Sequence, residues 1–306
     1  MKIKGLDSAH TIYFEGELEK VINKVFEKKY RKLPFRRLLS VNRELSAADT
    51  HVTYGIYDAV GMAKIISAYA TDLPRSDVSR KEVSFPIFTV GTSFGYNVQE
   101  IMASKATGKP LGRRRAEACR RATEEQFNRV ALHGDAQTGM LGLFNNPNIP
   151  VANVVDPGSG TEWVNKTPAE ILFDVNDMFA DQLELTNEYE QARILLLPLE
   201  QWTYIATTQM PGIDKTILKF LVENSPWISS ENQIQHLKDM KGAGVGGTDR
   251  MMAYDPDPEK VEFYIPMELD FLEAQQDGLE LVVPGWARTG GTHYYYPLSA
   301  TIRDGI

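Results

Sequence analysis

The sequence holds one cysteine, Cys119, among 306 residues. That excludes a disulfide framework within the chain and any thiolate metal cluster. Long apolar runs are also missing: no stretch approaches the ~20 apolar residues of a membrane-spanning helix. The N-terminal Met1-Lys-Ile-Lys-Gly-Leu-Asp-Ser8 has no apolar run after its charges. It reads against a secretory signal and for a protein kept in the cytoplasm. A basic excess is absent too, with 33 Lys plus Arg against 41 Asp plus Glu and a formal net charge of −8. Affinity for nucleic acid comes largely from neutralising phosphates, so this balance argues against tight, sequence-independent binding. The five histidines (His10, His51, His133, His236, His293) are scattered and form no H-E-x-x-H pair. A zinc site is therefore unsupported.

What is present describes a folded protein. Hydrophobic residues make up 42% and charged residues 24%, close to the globular average. The length suits one large domain or two modest ones with a substantial core. Glycine and proline are spread along the chain, and there is no internal repeat or low-complexity tract.

The first fifty residues predict an arm with a short helix. Leu18, Val21, Ile22, Val25 and Phe26 recur at helical spacing. The basic patch Lys28, Lys29, Arg31, Lys32, Arg36 and Arg37 follows, a solvated face or a contact for nucleic acid or an acidic partner. From Tyr54 to Tyr96 the composition turns to Val, Ile, Phe, Tyr, Thr and Ser. Val83, Phe85 and Ile87 alternate, and Pro86 among them places this strand at an edge or in a projecting ribbon. The polar stretch Thr71–Arg80 predicts the tip between two extended limbs. Such a hairpin has little core of its own and needs a partner on another subunit.

From Leu111 to His133 the spacing predicts the longest helix, roughly 33 Å at ~1.5 Å per residue. Ala116, Cys119, Thr123, Phe127 and Val130 form its apolar stripe. The pairs Glu117–Arg121, Arg120–Glu124 and Glu125–Arg129 sit at favourable spacing. Gly134 stops the helix. The turn-rich Asp156–Gly160 marks a boundary. Thr167-Pro-Ala-Glu170 then predicts a capped helix start. Arg193–Leu197 predicts a buried strand, and a further helix runs over Lys215–Glu223. Strands return at Val261–Ile265 and Leu279–Val283, and Gly290-Gly291 predicts a hairpin turn.

Two motifs suggest chemistry. Gly91-Thr-Ser-Phe-Gly95 matches the nucleophile elbow G-x-S-x-G. The edge-like strand before it and the lack of alternating strands and helices count against a catalytic Ser93. Gly242-Ala-Gly-Val-Gly-Gly247 matches a dinucleotide fingerprint in letters. No strand precedes it and no helix follows, so a flexible loop is the better reading. Asp255-Pro-Asp-Pro-Glu259 reads as a turn rather than a calcium loop. Cys119, on the apolar stripe, reads as a buried structural residue. No cofactor, metal or catalytic group is expected.

A set of segments in fixed order carries a resemblance. They are Gly61–Ser67, Asp72-Leu-Pro74, Tyr96–Glu100, Thr107–Leu111, Leu132–Asp135, Gly142-Leu143 and Asn146-Pro147, then Gly247–Tyr254, Ile265-Pro266, Gly290-Gly291, Tyr296-Pro-Leu298 and Asp304–Ile306. In this order the chain resembles the major capsid proteins of tailed bacteriophages, which share the Hong Kong 97-type α+β fold. The resemblance covers about Tyr54 to Ile306. It implies an N-terminal arm over 1–53, an extended β-hairpin loop over 54–95, and a peripheral domain with the spine helix over 96–150. An axial domain over 151–275 and return strands of the peripheral domain over 276–306 complete it.

The resemblance further implies a non-enzymatic shell subunit, assembling with itself in hexamers and pentamers around the phage genome. Scaffolding, portal and decoration proteins are the other implied partners. Packaged DNA is touched only non-specifically, and no membrane is involved. Assembly would take place in the host bacterial cytoplasm, and the product would reside in the virion. The chain shows no long helical extension ahead of its arm, so separate scaffolding or prior removal is expected. Inter-subunit contact candidates are Lys64, Arg75, Arg80, Lys81, Arg113, Arg114 and Arg115, with Gly242, Gly244 and Gly247 in a loop that adapts between rings. Lys64 and Lys81 lie where some relatives cross-link, although nothing in the residues shows that chemistry. The alternatives are an encapsulin-like cellular compartment shell and a serine hydrolase using Ser93.

Overall fold

The computed structural model describes residues 32–60, 77–107, 112–158 and 160–306. The predicted stripe of Leu18 to Phe26, the basic residues Lys28, Lys29 and Arg31, the segment 71–76, Lys64 and Arg75 lie outside the described residues. So does the side chain of Arg113.

The elements follow the chain as α1 (Phe35–Leu38), β1 (Ser40–Asn42), β2 (His51–Val60), β3 (Asp77–Pro86) and β4 (Phe88–Asn97). Two helices come next, α2 (Val98–Thr107) and α3 (Gly112–His133), then β5 (Val151–Asn153) and α4 (Pro168–Leu185). β6 (Ile194–Leu197), α5 (Leu199–Thr207), α6 (Ile217–Asn224), β7 (Ile234–His236) and β8 (Arg250–Tyr254) continue it. It ends through β9 (Val261–Tyr264), β10 (Met267–Phe271), β11 (Gln275–Asp277), β12 (Glu280–Thr289), β13 (Gly291–Tyr294) and β14 (Ala300–Asp304).

Alternation of side chains along strands explains how one sheet serves two cores. The five-stranded sheet runs β5-β14-β8-β6-β7. Leu195, Leu197, Met251 and Ala253 point to one face and pack with Ile171, Val175, Met178 and Phe179 of α4 and with Ile217 and Leu221 of α6. Leu196, Met252, Tyr254 and Ile302 point to the other. There they meet Phe127, Val130 and Leu132 of α3 together with Val261, Phe263 and Tyr294. Leu33–Ile306 form a single unit around this sheet. The last strand, β14, lies between β5 and β8, so residues 300–304 join the sheet of the 151–275 region and not the strands just before them.

Local signals hold where they were strongest. Thr167 caps α4, accepting from the Glu170 N–H while the Glu170 carboxylate accepts from the Thr167 N–H at 2.7 Å. Cys119, Thr123, Phe127 and Val130 are buried along α3. Gly134 ends α3 with φ +68°, and a Cβ there would overlap the Met140 carbonyl oxygen. The ion pairs differ in part from the helical spacing. Arg121 and Glu125, each matched by spacing to a different residue, pair with one another at 2.8 Å, while Glu124 meets Arg36 at 2.7 Å and Arg120 lies over the Phe271 ring. A helix surface packed against other elements finds partners across the fold.

The Gly290-Gly291 hairpin is not formed. β12 ends at Thr289 and pairs with β4, while β13 pairs with β9. Gly291, at φ +82°, passes the chain from one sheet to another.

Candidate subunit-interaction surfaces

β2 and β3 form an antiparallel ribbon of ten residue pairs, from His51↔Pro86 to Val60↔Asp77. At ~3.4 Å per residue each limb is roughly 30 Å long. Among the described residues the packed part is the root. Val52, Ile87 and Tyr264 are buried together there, with Leu45 and Phe85 against them. The hairpin stops at Pro86, and residues 88–95 belong to β4 in a different sheet.

The root sits in a socket formed by one face of the β1-β9-β13 sheet. Val261, Phe263 and Tyr294 point into the core, so Glu262, Tyr264, His293 and Tyr295 point out toward the ribbon. Tyr54 meets Phe85 and Tyr295 edge-on, at centroid distances of 6.1 and 5.0 Å. Phe85 stacks on the His293 ring. Beneath them Tyr264 and Tyr295 share a hydroxyl hydrogen bond. Tyr295 Oη donates to Glu262 at 2.9 Å, and Asn42 Nδ2 donates to the same carboxylate at 3.1 Å. The half-buried Glu262 side chain thereby has two hydrogen-bond donors. His293 Nε2 lies 2.7 Å from the Gly290 carbonyl oxygen. Burial pushes the His293 imidazole down to about 4 and the Tyr264 and Tyr295 hydroxyls up, so all three are neutral at pH 7.

Beyond the socket the ribbon touches no other element among the described residues strongly enough to form a core. Arg80, Lys81 and Glu82 are exposed, Arg80 pairs along its own strand with Glu82 at 2.8 Å, and Ile56 is 43% exposed.

The first turn of α3 carries arginines and no acid, which opposes the helix dipole. Arg115 has an answer within the chain. Its guanidinium forks onto Glu100 at 2.9 and 3.0 Å, donates to the Gly95 carbonyl and lies 4.7 Å over the Tyr96 ring. This holds the Glu100 carboxyl below the usual carboxylate range. Arg115 therefore clamps α3 to the end of β4, where the sequence suggested an inter-subunit partner. Arg114 is exposed.

The glycine loop is pinned at its base, not free as expected. Gly242 N–H donates to Asp249 at 2.8 Å, Gly244 N–H to the Thr248 carbonyl at 2.8 Å, and Val245 N–H to Asp304 at 3.1 Å. Asp304 is itself forked by Arg250 at 2.6 and 2.9 Å. Gly242, Gly246 and Gly247 all have positive φ, which lets the loop fold back over so few residues. Val245, at its tip, is 76% exposed. The pinning residue, Asp304, lies 59 positions from Val245, and no local pattern announces it.

The same geometry disposes of the catalytic motifs. Ser93 lies in the middle of β4, paired with Pro284, not on a strand-to-helix elbow. Its carbonyl accepts from Cys119 Sγ at 3.5 Å, while His293 is engaged with Gly290 and Phe85. Gly242–Gly247 opens no α-helix that could hold a pyrophosphate. Among the described residues no cluster of three His, Cys, Asp or Glu side chains could hold a metal ion. Nor is any described helix long and apolar enough to cross a membrane.

Comparison with known proteins places this architecture. The family model described as "Major capsid protein" matches residues 61–306. The chain is similar in structure to the capsid of Myoviridae phage XM1, with a TM-score of 0.79 at 20% identity and 99% of each chain covered. It is similar to Gordonia phage Cozz at TM-score 0.61 and 12% identity, covering 99% of this chain and 96% of that one. The capsid of a native GTA particle gives TM-score 0.61 at 10% identity, covering 98% and 99%. No curated protein matches the chain in sequence. The ribbon, the spine helix and the sheet with two cores make the Hong Kong 97-type fold, and neither an encapsulin-like shell nor a hydrolase is favoured. The chain belongs to the major capsid protein family of tailed phages, structural and non-enzymatic subunits that associate with one another to form the virion capsid.

Proposed function

We propose that copies of this chain associate as hexamers and pentamers of a closed shell, with the β2–β3 ribbon of each copy laid over its neighbour. The observation that carries this is the ribbon itself: ten residue pairs fastened, among the described residues, at an aromatic root alone. A bare two-stranded hairpin is marginally stable in water, so its outer half needs a surface supplied by another copy. On this reading residues 1–53 form the arm, and the segment 54–95 contains the extended loop. Residues 96–150 with β12 form the peripheral domain around α3. The region 151–275, joined by β14, forms the axial domain. Its Gly242–Gly247 loop stands at the ring centre with Val245 outward, and Arg80, Lys81 and Arg114 are contact residues between copies. A separate scaffolding protein, a portal and decoration proteins complete the head, which assembles in the host cytoplasm and touches DNA only through non-specific contacts. The net charge of −8 suits a wall that does not adhere to its contents.

Electron microscopy of the protein, expressed alone and with its neighbouring genes, tests this. Rings of five and six subunits and closed shells are expected. A persistent monomer under both conditions would refute the proposal.

A further inference from the structure

β4 is ten residues long and pairs with β12 through the register Phe88↔Thr289 to Asn97↔Glu280. The side of β4 that each residue's amide faces follows from two hydrogen bonds. Val98 N–H donates to the Leu279 carbonyl, and Leu272 N–H, on the other flank of β12, donates to Pro284. Odd-numbered residues of β12 therefore bond to β4 and even-numbered ones to the opposite neighbour. Since partners sum to an odd number, the even-numbered residues of β4 bond to β12. Thr89, Gly91, Ser93 and Gly95 direct their N–H and C=O groups to the other, outer edge.

Half of that edge is closed. The Ser93 carbonyl accepts from Cys119 and the Gly95 carbonyl from Arg115, both on α3. The half around Thr89 and Gly91 pairs with no strand among the described residues. It borders a groove whose other wall is Ala122, Thr123 and Gln126 of α3 with Thr138 and Met140. Thr89, Gly91 and Ser93 are exposed, and a Cβ on Gly91 would meet nothing within 4 Å.

Edge strands of folded proteins are usually blunted by charge, proline, a bulge or shortness. β4 has none of these: Phe-Thr-Val-Gly-Thr-Ser-Phe-Gly-Tyr-Asn carries neither charge nor proline, and its pairing is continuous. Such an edge, left open, is a template for another chain. Members of this family associate with themselves, and the β2–β3 ribbon is the described element that has unused edges of the same ten-residue length.

We infer that the open outer edge of β4, around Thr89 and Gly91, receives the β2–β3 ribbon of a second copy by main-chain strand pairing. Gly91 then has a role: with no side chain on the face of the sheet, it leaves the space beside the incoming strand clear. The inference rests on the reading that the ribbon docks on a neighbouring copy, and it names the receiving strand and the mode of contact.

Proline scanning along β4 in the full-length protein tests it. In Thr89→Pro the lost N–H faces outward, so no bond to β12 disappears. The subunit should keep its far-ultraviolet circular dichroism while forming at least tenfold fewer shells than the parent. Shells at parental yield would overturn the inference. An independent measurement places a photo-reactive phenylalanine analogue at position 89 in assembled shells and maps the cross-linked peptide. A link to residues 51–60 or 77–86 of another copy supports the pairing. A link to any other segment, or only within one copy, overturns it. If the parent itself never assembles, the proposed function fails first, and the two failures are told apart by that control.

Discussion

His293 makes the hairpin socket sensitive to acid, and the size of the effect follows from its surroundings. The ring is stacked on Phe85, tilted against Tyr264 and bonded to the Gly290 carbonyl, with burial as the main cause of its depressed basicity. Its pKa in the folded chain is about 4 against an ordinary 6.5. The folded value lies below the unfolded one, so the stability is present above pH 6.5 and is lost as pH falls toward 4. Linkage then gives a loss of about 2 kcal/mol between pH 7 and pH 5, approaching ~3 kcal/mol near pH 4. Urea unfolding of the unassembled subunit at both pH values measures it. Glu262 lies directly across from His293 in the register, and other carboxylates are present in the chain. The useful quantity is therefore the difference between the parent and His293→Gln, in which the carboxylate effects cancel. The parent should lose about 2 kcal/mol more than the variant between pH 7 and pH 5. Equal losses would refute the claim that a neutral imidazole supports the ribbon root.

Removing one partner of the buried Lys166–Asp174 pair, 2.7 Å apart with 1% and 2% of the side chains exposed, should be costly. Lys166→Ala leaves a carboxyl whose ionisation burial already disfavours, and denaturant unfolding should show a loss of about 3–5 kcal/mol. In the double variant Lys166→Met with Asp174→Leu most of that returns, short by ~1–2 kcal/mol because the Trp163 indole N–H loses its acceptor. Gly134→Ala places a side chain at φ +68° against the Met140 carbonyl, and thermal unfolding should reveal a loss above ~2 kcal/mol.

The parts of this fold legible in the sequence are those governed by neighbours along the chain. The stripe from Cys119 to Val130, the glycine that stops α3, the capping box at Thr167 and the apolar run Ile194–Leu197 each depend on a few adjacent positions. Pro86, with no N–H to donate, marked a ribbon before any partner was known. The resemblance carried by scattered short segments supplied the fold family, which periodicity alone does not reach. The candidate surfaces were less legible. Arg115 read as an outward contact because its partner Glu100 lies on another helix, and the glycine loop read as free because Asp304 holds it from 59 residues away.

Tertiary structure decided the rest, for a common physical reason. Whether a polar or glycine-rich segment is free or tied depends on which distant groups satisfy it, and a one-dimensional pattern does not contain those distances. Sequence determined that the chain is an α+β shell subunit with a long helix, a projecting ribbon and no catalytic constellation. Only the fold decided that one sheet would divide two cores and that the last strand would enter it between β5 and β8. The fold also turned Ser93 and its flanking glycines from a false catalytic elbow into the outer strand of a sheet, whose edge around Gly91 pairs with no other described strand.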